Sequence, residues 1–323
     1  MKVLVTGSEG FIGSHLTELL VEKGFDVKAF VRYNFKNDWG WLENSKYKKD
    51  IEVYTGDIRD YDSVYDAMKG VDVVFHLAAL IGIPYSYISP LAYIKTNTEG
   101  TYNVLEAGKK LNIKRIIHTS TSEIYGTAQY VPIDEKHPYN PQSPYAASKA
   151  GADHMALAYF RTFGTPVTII RPFNTYGPRQ SARAIIPTII SQILAGKKQI
   201  KLGNLTPTRD LNYVKDTVNG FITVGMDEKT MGDVYNLGTG KEISIGDLAQ
   251  KIIKLIGKEV EIVQDQQRLR PSKSEVERLL SNPDKAKKLT GWEPKYTLDE
   301  GLKETIEWIQ NNLQYYKTDI YNV

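Results

Sequence analysis

Short apolar runs alternate with stretches of helical hydrophobic spacing through the first half of the chain. Val3–Thr6, Val27–Val31, Ile51–Tyr54, Asp72–His76, Arg115–Thr119 and Thr168–Arg171 are predicted strands. Between them, Ile12–Glu22, Thr98–Lys110 and Ser148–Thr162 carry apolar residues at helical intervals. Strands that are apolar at nearly every position belong to a sheet covered on both faces, which implies parallel pairing in an α/β, doubly wound architecture. After Arg171 the pattern changes. Pro172, Gly177, Pro178, Pro187, Gly196, Gly203 and Pro207 crowd together around one helical stretch, Pro187–Ala195. From Ser244 helix and strand signals mix, ending in the amphipathic Leu298–Leu313. The expected organisation is a sheet domain over residues 1–171 and a smaller lobe over 172–323, with segments near 213–237 returning to the first. Gln314–Val323 is polar and tyrosine-rich and carries no assignment.

Composition narrows the chemistry. The 323 residues include 41 Lys+Arg and 38 Asp+Glu, a balance of +3, and no cysteine. Thiolate metal sites, cysteine nucleophiles and disulfides are excluded, and the strongly basic surface of a dedicated nucleic-acid binder is missing. The five histidines lack metal-ligand spacing, so no metal site is expected. Gly7-Ser8-Glu9-Gly10 interrupts the apolar N-terminus before it can act as a signal segment, and no run reaches membrane-spanning length. A cytoplasmic protein with no membrane partner is expected.

Gly7-Ser8-Glu9-Gly10-Phe11-Ile12-Gly13 joins the first strand to the first helix. Glycines there permit a tight turn and close approach of a pyrophosphate to the helix N-terminus, the arrangement of a dinucleotide site. An acid at the end of the second strand would hold the ribose hydroxyls of NAD, but Val31 is followed by Arg32-Tyr33-Asn34. Arg32 is suited to the 2′-phosphate, so NADP is expected in preference to NAD.

Tyr145 and Lys149 stand one helical turn apart. An ammonium beside a phenol favours the phenolate, which can then act as a base near neutral pH. Ser120-Thr121-Ser122-Glu123 follows the strand Arg115–Thr119 at its C-terminal end, where open α/β sheets hold ligands.

With these, Gly56-Asp57-Ile58, His76-Leu77-Ala78-Ala79, Asn97, Gly100-Thr101 and Arg171-Pro172-Phe173-Asn174 through Tyr176-Gly177-Pro178 resemble the extended short-chain dehydrogenase/reductases that act on nucleotide sugars. The resemblance covers nearly the whole chain. It implies a Rossmann domain with a C-terminal substrate lobe. Tyr145 would be the base, Lys149 would bind the nicotinamide ribose, and Thr121 would contact the sugar 4-hydroxyl. Asp57 and Ile58 would flank the adenine, with Leu77, Ala78, Ala79 and Asn97 also on the cofactor. A homodimer through Thr98–Lys110 and Ser148–Thr162 is likewise implied.

Thr121-Ser122-Glu123 resembles the 4,6-dehydratases, the GDP-mannose 4,6-dehydratase family above all. In that reading C4 oxidation acidifies the C5 proton, Glu123 removes it, and the 6-hydroxyl leaves as water. The dTDP-glucose dehydratases carry Asp where this chain has Ser122, so Glu123 must serve as both base and acid, or Ser122 relays through water. The diphosphate calls for cationic or amide donors. The resemblance nominates Asn174, Arg209 and Arg270, with Leu202 packing on the base, while Arg179 and Arg183 lie in the same lobe. Segments around Asp38–Glu43, Leu205–Leu211 and Arg270–Leu279 resemble bacterial dehydratases of nucleotide-linked N-acetylglucosamine on routes to pseudaminic and legionaminic acids. A UDP sugar is expected. GDP sugars, UDP-glucuronate decarboxylation, 4-epimerisation and a catalytically silent NADP-binding protein are the alternatives.

Overall fold

The computed structural model describes residues 1–322. Thirteen strands follow in chain order: β1 (Lys2–Thr6), β2 (Asp26–Arg32), β3 (Ile51–Gly56), β4 (Val73–His76), β5 (Arg115–Thr119), β6 (Val167–Pro172), β7 (Asn174–Tyr176), β8 (Gln199–Leu202), β9 (Thr208–Tyr213), β10 (Val234–Leu237), β11 (Glu242–Ser244), β12 (Glu261–Gln264) and β13 (Arg278–Leu279). The principal helices are α1 (Phe11–Glu22), α2 (Tyr61–Met68), α3 (Ile83–Ile88), α4 (Pro90–Tyr93), α5 (Gly100–Lys110), α6 (Pro144–Phe163), α7 (Ile185–Leu194), α8 (Val214–Gly225), α9 (Ile245–Ile256), α10 (Asp284–Thr290) and α11 (Leu298–Asn311).

Seven strands form one parallel sheet in the order β10-β6-β5-β4-β1-β2-β3. Its apolar runs feed both faces, as the strand pleat requires. Val3 and Val5 pack with Leu16 and Leu20 of α1 and Phe221 of α8, whereas Leu4 packs with Ala67, Val104 and Ala156 on the opposite side. The first of these cores continues through Ile189 of α7, Leu248 of α9 and Leu302 of α11. The C-terminal lobe is thus built onto one face of the sheet rather than beside it. Strand β10 completes the main sheet, while β7, β9, β11 and β13 form a small sheet and β8 pairs with β12.

The chain leaves β1 toward β2 and β3, then returns to place β4 on the other side of β1. That reversal opens a crevice at the C-terminal ends of β1 and β4, beside the end of β5. Two local departures from the sequence pattern matter there. Helix α6 begins at Pro144, because the Ser143 hydroxyl accepts the Ala146 N–H at 3.1 Å and proline suits the first helical position. Tyr145 is therefore inside the helix. Ahead of α5, Ile94–Glu99 forms a π-helical turn that carries Asn97. Among the described residues no helix is long and apolar enough to cross a membrane, and no His/Asp/Glu group could hold a metal ion.

Candidate active site

The glycine loop closes tightly over the crevice. Gly7 has φ +69°, and a Cβ there would lie 2.9 Å from the backbone of Ala78. A Cβ on Gly13 would meet the Gly7 carbonyl oxygen at 2.1 Å. No side chain caps α1 at Gly10 and no acid stands in its first turn, so the amides of Phe11, Ile12 and Gly13 remain for an anion. These features fit a dinucleotide pyrophosphate. At the end of β2 the Arg32 side chain is exposed, while its N–H donates to Glu9 Oε1 at 3.2 Å. Asp57, ending the next strand connection, is held by Arg59, whose Nη2 lies 2.5 Å from Oδ2. The Arg59 bond is the main cause of the depressed Asp57 pKa, and Arg32 adds to it. Ile58 is buried, and its carbonyl accepts from Asn103 Nδ2 at 3.0 Å. Asn97 accepts the Leu80 N–H at 2.8 Å and donates to the Leu80 carbonyl and Ser148 Oγ. Its side chain thus fixes the Leu77-Ala78-Ala79 segment beside Gly7.

The reactive groups gather where β5 ends. Thr121 caps the short turn Ser122–Tyr125, its hydroxyl accepting the Glu123 N–H at 3.2 Å. Thr121, Ser122 and Glu123 are all buried. Tyr145 packs edge-on against Tyr93 at 6.2 Å between ring centres, with the Thr121 hydroxyl bearing on its phenol. Burial pushes the Tyr145 phenol up, and Thr121 pulls it partly back. Lys149 donates to the Thr119 carbonyl at 2.5 Å, and burial brings its pKa down to about 8. The lysine therefore bonds the strand end instead of the phenol. Direct lowering of the Tyr145 pKa by Lys149, expected from their spacing, is not what the geometry displays: desolvation dominates both groups.

Beneath these residues lies a buried polar cluster that the sequence pattern did not single out. Asp153, one turn beyond Lys149, accepts from Ser120 Oγ at 2.7 Å and from Arg171 Nε at 3.0 Å. His118 Nε2 lies 3.2 Å from the other carboxylate oxygen. Arg171 also donates to the hydroxyls of Tyr125 and Tyr139, and Tyr125 donates to Asn236 Oδ1 at 2.8 Å. Although burial disfavours its charge, Arg171, His118 and Ser120 bring the Asp153 pKa down to about 2. The available signal was the four-residue step from Lys149 to Asp153.

On the C-terminal side, Arg209 is buried on β9 and Glu123 is the largest charge opposing its desolvation. Glu275 stands 3.7 Å from Arg209 and 3.5 Å from Arg270, joining the two arginines nominated for the diphosphate. Asp210 faces the other way and fastens the lobe, accepting from Thr239, Gly240 and Ser281. The buried carboxamide oxygen of Asn174 has no protein partner, which suits a ligand contact. Arg179 instead pairs with Glu18 of α1 at 3.0 Å. Arg183 lies beside Gly82, with its charge bearing on Tyr93. Leu202 is only 1% exposed and packs in the main core, so it does not present the apolar surface expected toward a base. Trp41 packs edge-on against Trp308 and Tyr315, tying the segment after β2 to the C-terminus.

A parallel doubly wound sheet, a glycine loop at its switch point and a Thr–Tyr–Lys group at the end of β5 define a dinucleotide-dependent enzyme of the extended short-chain dehydrogenase/reductase class. Residues 4–305 match the family model described as GDP-mannose 4,6 dehydratase, and the chain belongs to that family. It is 32% identical to the dTDP-D-glucose 4,6-dehydratase of Homo sapiens, covering 98% of this chain and 92% of that protein. It is 34% identical to a putative UDP-glucose 4-epimerase of Methanocaldococcus jannaschii, covering 96% and 99%. The structure of DesIV, a dTDP-glucose 4,6-dehydratase from Streptomyces venezuelae with NAD and TYD bound, superimposes with a TM-score of 0.89 at 28% identity, covering 98% and 99% of the two chains. The family thus joins nucleotide-sugar dehydratases and epimerases.

Proposed function

We propose that this protein is an NADP-dependent 4,6-dehydratase of UDP-N-acetylglucosamine. Its product would be a 4-keto-6-deoxy or 5,6-unsaturated sugar for nonulosonic acid synthesis. The observation that carries the dehydratase reading is Glu123, a buried carboxylate on the same turn as Thr121, within reach of the Tyr145 and Arg209 side of the cleft. A bound nicotinamide dinucleotide, held by the glycine loop and Lys149, would supply the hydride acceptor, and the sugar would regain that hydride, at C6 in the 4-keto-6-deoxy product or at C4 in the 5,6-unsaturated one, so that no net oxidant is needed. Tyr145 takes the proton of the 4-hydroxyl; burial holds its phenol up, and the neighbouring Thr121 hydroxyl offsets part of that rise. Lys149 holds the ribose hydroxyls. Glu123 then removes the acidified C5 proton and returns a proton to the departing 6-hydroxyl, since Ser122 offers no second carboxyl. Arg209, Arg270 and Asn174 hold the diphosphate. Epimerisation at C4 has no step for Glu123, which weighs against the reading suggested by the Methanocaldococcus relative.

NADP is supported by the exposed Arg32 at the end of β2 and by the lack of an acid at Arg32-Tyr33-Asn34. Arg32→Ala should weaken NADP binding by roughly tenfold or more and leave NAD binding nearly unchanged. Equal losses for both cofactors, or a wild-type preference for NAD, would refute that assignment. Incubation with UDP-N-acetylglucosamine, GDP-N-acetylglucosamine and UDP-glucuronate, read by mass spectrometry and NMR, tests the reaction. Loss of water supports dehydration. Loss of carbon dioxide, C4 inversion at constant mass, or no change with any sugar identifies the competing readings.

A further inference from the structure

The chain beyond α11 lies outside the family match, which ends at residue 305, yet it is packed against the C-terminal lobe. Tyr316 is buried against Trp308, and its hydroxyl donates to the Gln180 carbonyl at 2.9 Å. Lys197 Nζ donates to the Thr318 carbonyl at 2.6 Å and pairs with Asp319 at 3.0 Å. The Arg268 guanidinium sits 4.9 Å from the Tyr321 ring centre.

Between this tail and the paired strands β8 and β12 is a cavity of about 120 Å³, whose lining includes Gln192, Lys201, Asp265, Gln267, Arg268 and Tyr321. None of Thr121, Glu123, Tyr145 and Lys149 borders it. The Gln192 carboxamide and the Asp265 carboxylate are spent on protein bonds. By contrast, the Gln267 carboxamide, the Lys201 ammonium and the Tyr321 hydroxyl make no hydrogen bond to the described residues. The cavity therefore offers an uncommitted donor–acceptor amide and an uncommitted cationic donor, beside the Tyr321 ring that the Arg268 guanidinium already packs against. That set suits a flat heterocycle with polar edges better than a phosphate. Arg270, nominated for the diphosphate, stands two residues from Arg268 of the cavity wall, and the charges of both act on the Tyr321 hydroxyl.

We propose that the C-terminal tail forms the outer wall of the nucleobase subsite and that Tyr321 contacts the base directly. This rests on the nucleotide-sugar reading above. Calorimetric titration of UDP and GDP into the intact chain, Tyr321→Ala, Tyr321→Phe and a chain ending at Lys317 tests it, with thermal unfolding as the check on folding. The tail wall predicts that Tyr321→Ala and the shortened chain bind the preferred diphosphate roughly tenfold more weakly. Tyr321→Phe should stay close to the intact protein, and NADP binding should not change in any variant. Equal diphosphate affinity in intact chain and Tyr321→Ala would overturn the proposal. Tighter binding after shortening would also overturn it, showing that the tail blocks the subsite. If the intact chain binds neither diphosphate, the functional reading itself fails and the subsite with it.

Discussion

Lys149 keeps its charge at neutral pH by a small margin. Burial brings its pKa down to about 8, and Asp153 opposes that fall. The ammonium is present below that value and is lost as pH rises through it. If the cation is needed to hold the cofactor ribose, kcat/KM should fall on the alkaline side with an apparent pKa near 8, measured over a pH series at low substrate. Flat activity to pH 10 would remove Lys149 from that role. Glu123→Gln should reduce water elimination by at least about a hundredfold, because it removes the one carboxylate of the Thr121-Ser122-Glu123 turn. Retained turnover, followed by product mass, would sink its assigned part. Sequence spacing sets Tyr145 and Lys149 on one turn of α6 and Thr121 and Glu123 on one turn after β5, but it does not show that Lys149 turns to the Thr119 carbonyl rather than to the phenol. Glu275 was not legible in sequence, because its link to both arginines arises only when the loop before β13 folds over β9.

Strand β6 and helix α6 are joined by one buried ion pair. Arg171 on β6 and Asp153 on α6 are both fully buried, and the pair ties the helix bearing Tyr145 and Lys149 to the sheet. Asp153→Asn leaves the Arg171 charge without its partner, which should cost about 3 kcal/mol, read as a lowered urea midpoint with unchanged slope. The Asp153 pKa is depressed in the folded state to about 2, so its contribution is present above its ordinary value near 3.8 and is lost as pH falls toward 2. Most strands of the main sheet could be read from their continuous apolar runs, since both faces are covered. Element starts were harder to read. The proline that opens α6 and the π-helical turn before α5 depend on capping and packing that hydrophobic spacing does not encode.

At the scale of the molecule, the C-terminal lobe and the sheet share one hydrophobic core, and the charge of Glu123, just beyond β5, bears on Arg209 of β9. The polar tail carried no signal in sequence because its order comes from partners far along the chain, such as Gln180 and Lys197. On the flank formed by α3, α4 and the π-helical turn, Ile88, Leu91 and Ile94 are exposed apolar side chains, with Tyr102 beyond them on α5. We propose that the homodimer expected through Thr98–Lys110 and Ser148–Thr162 extends onto this flank. Gel filtration should show twice the 36.5 kDa chain mass, and Leu91→Asp should shift it toward monomer.

The chemistry itself is tested most directly by turnover of UDP-N-acetylglucosamine in deuterated water, with the product examined by mass spectrometry and NMR. Removal of the C5 proton by Glu123 and elimination of the 6-hydroxyl predict a product that has lost one water. Where the 6-deoxy sugar forms, deuterium should also stand at C5. A sugar of unchanged mass, with an inverted C4 centre and no deuterium at C5, would contradict the account.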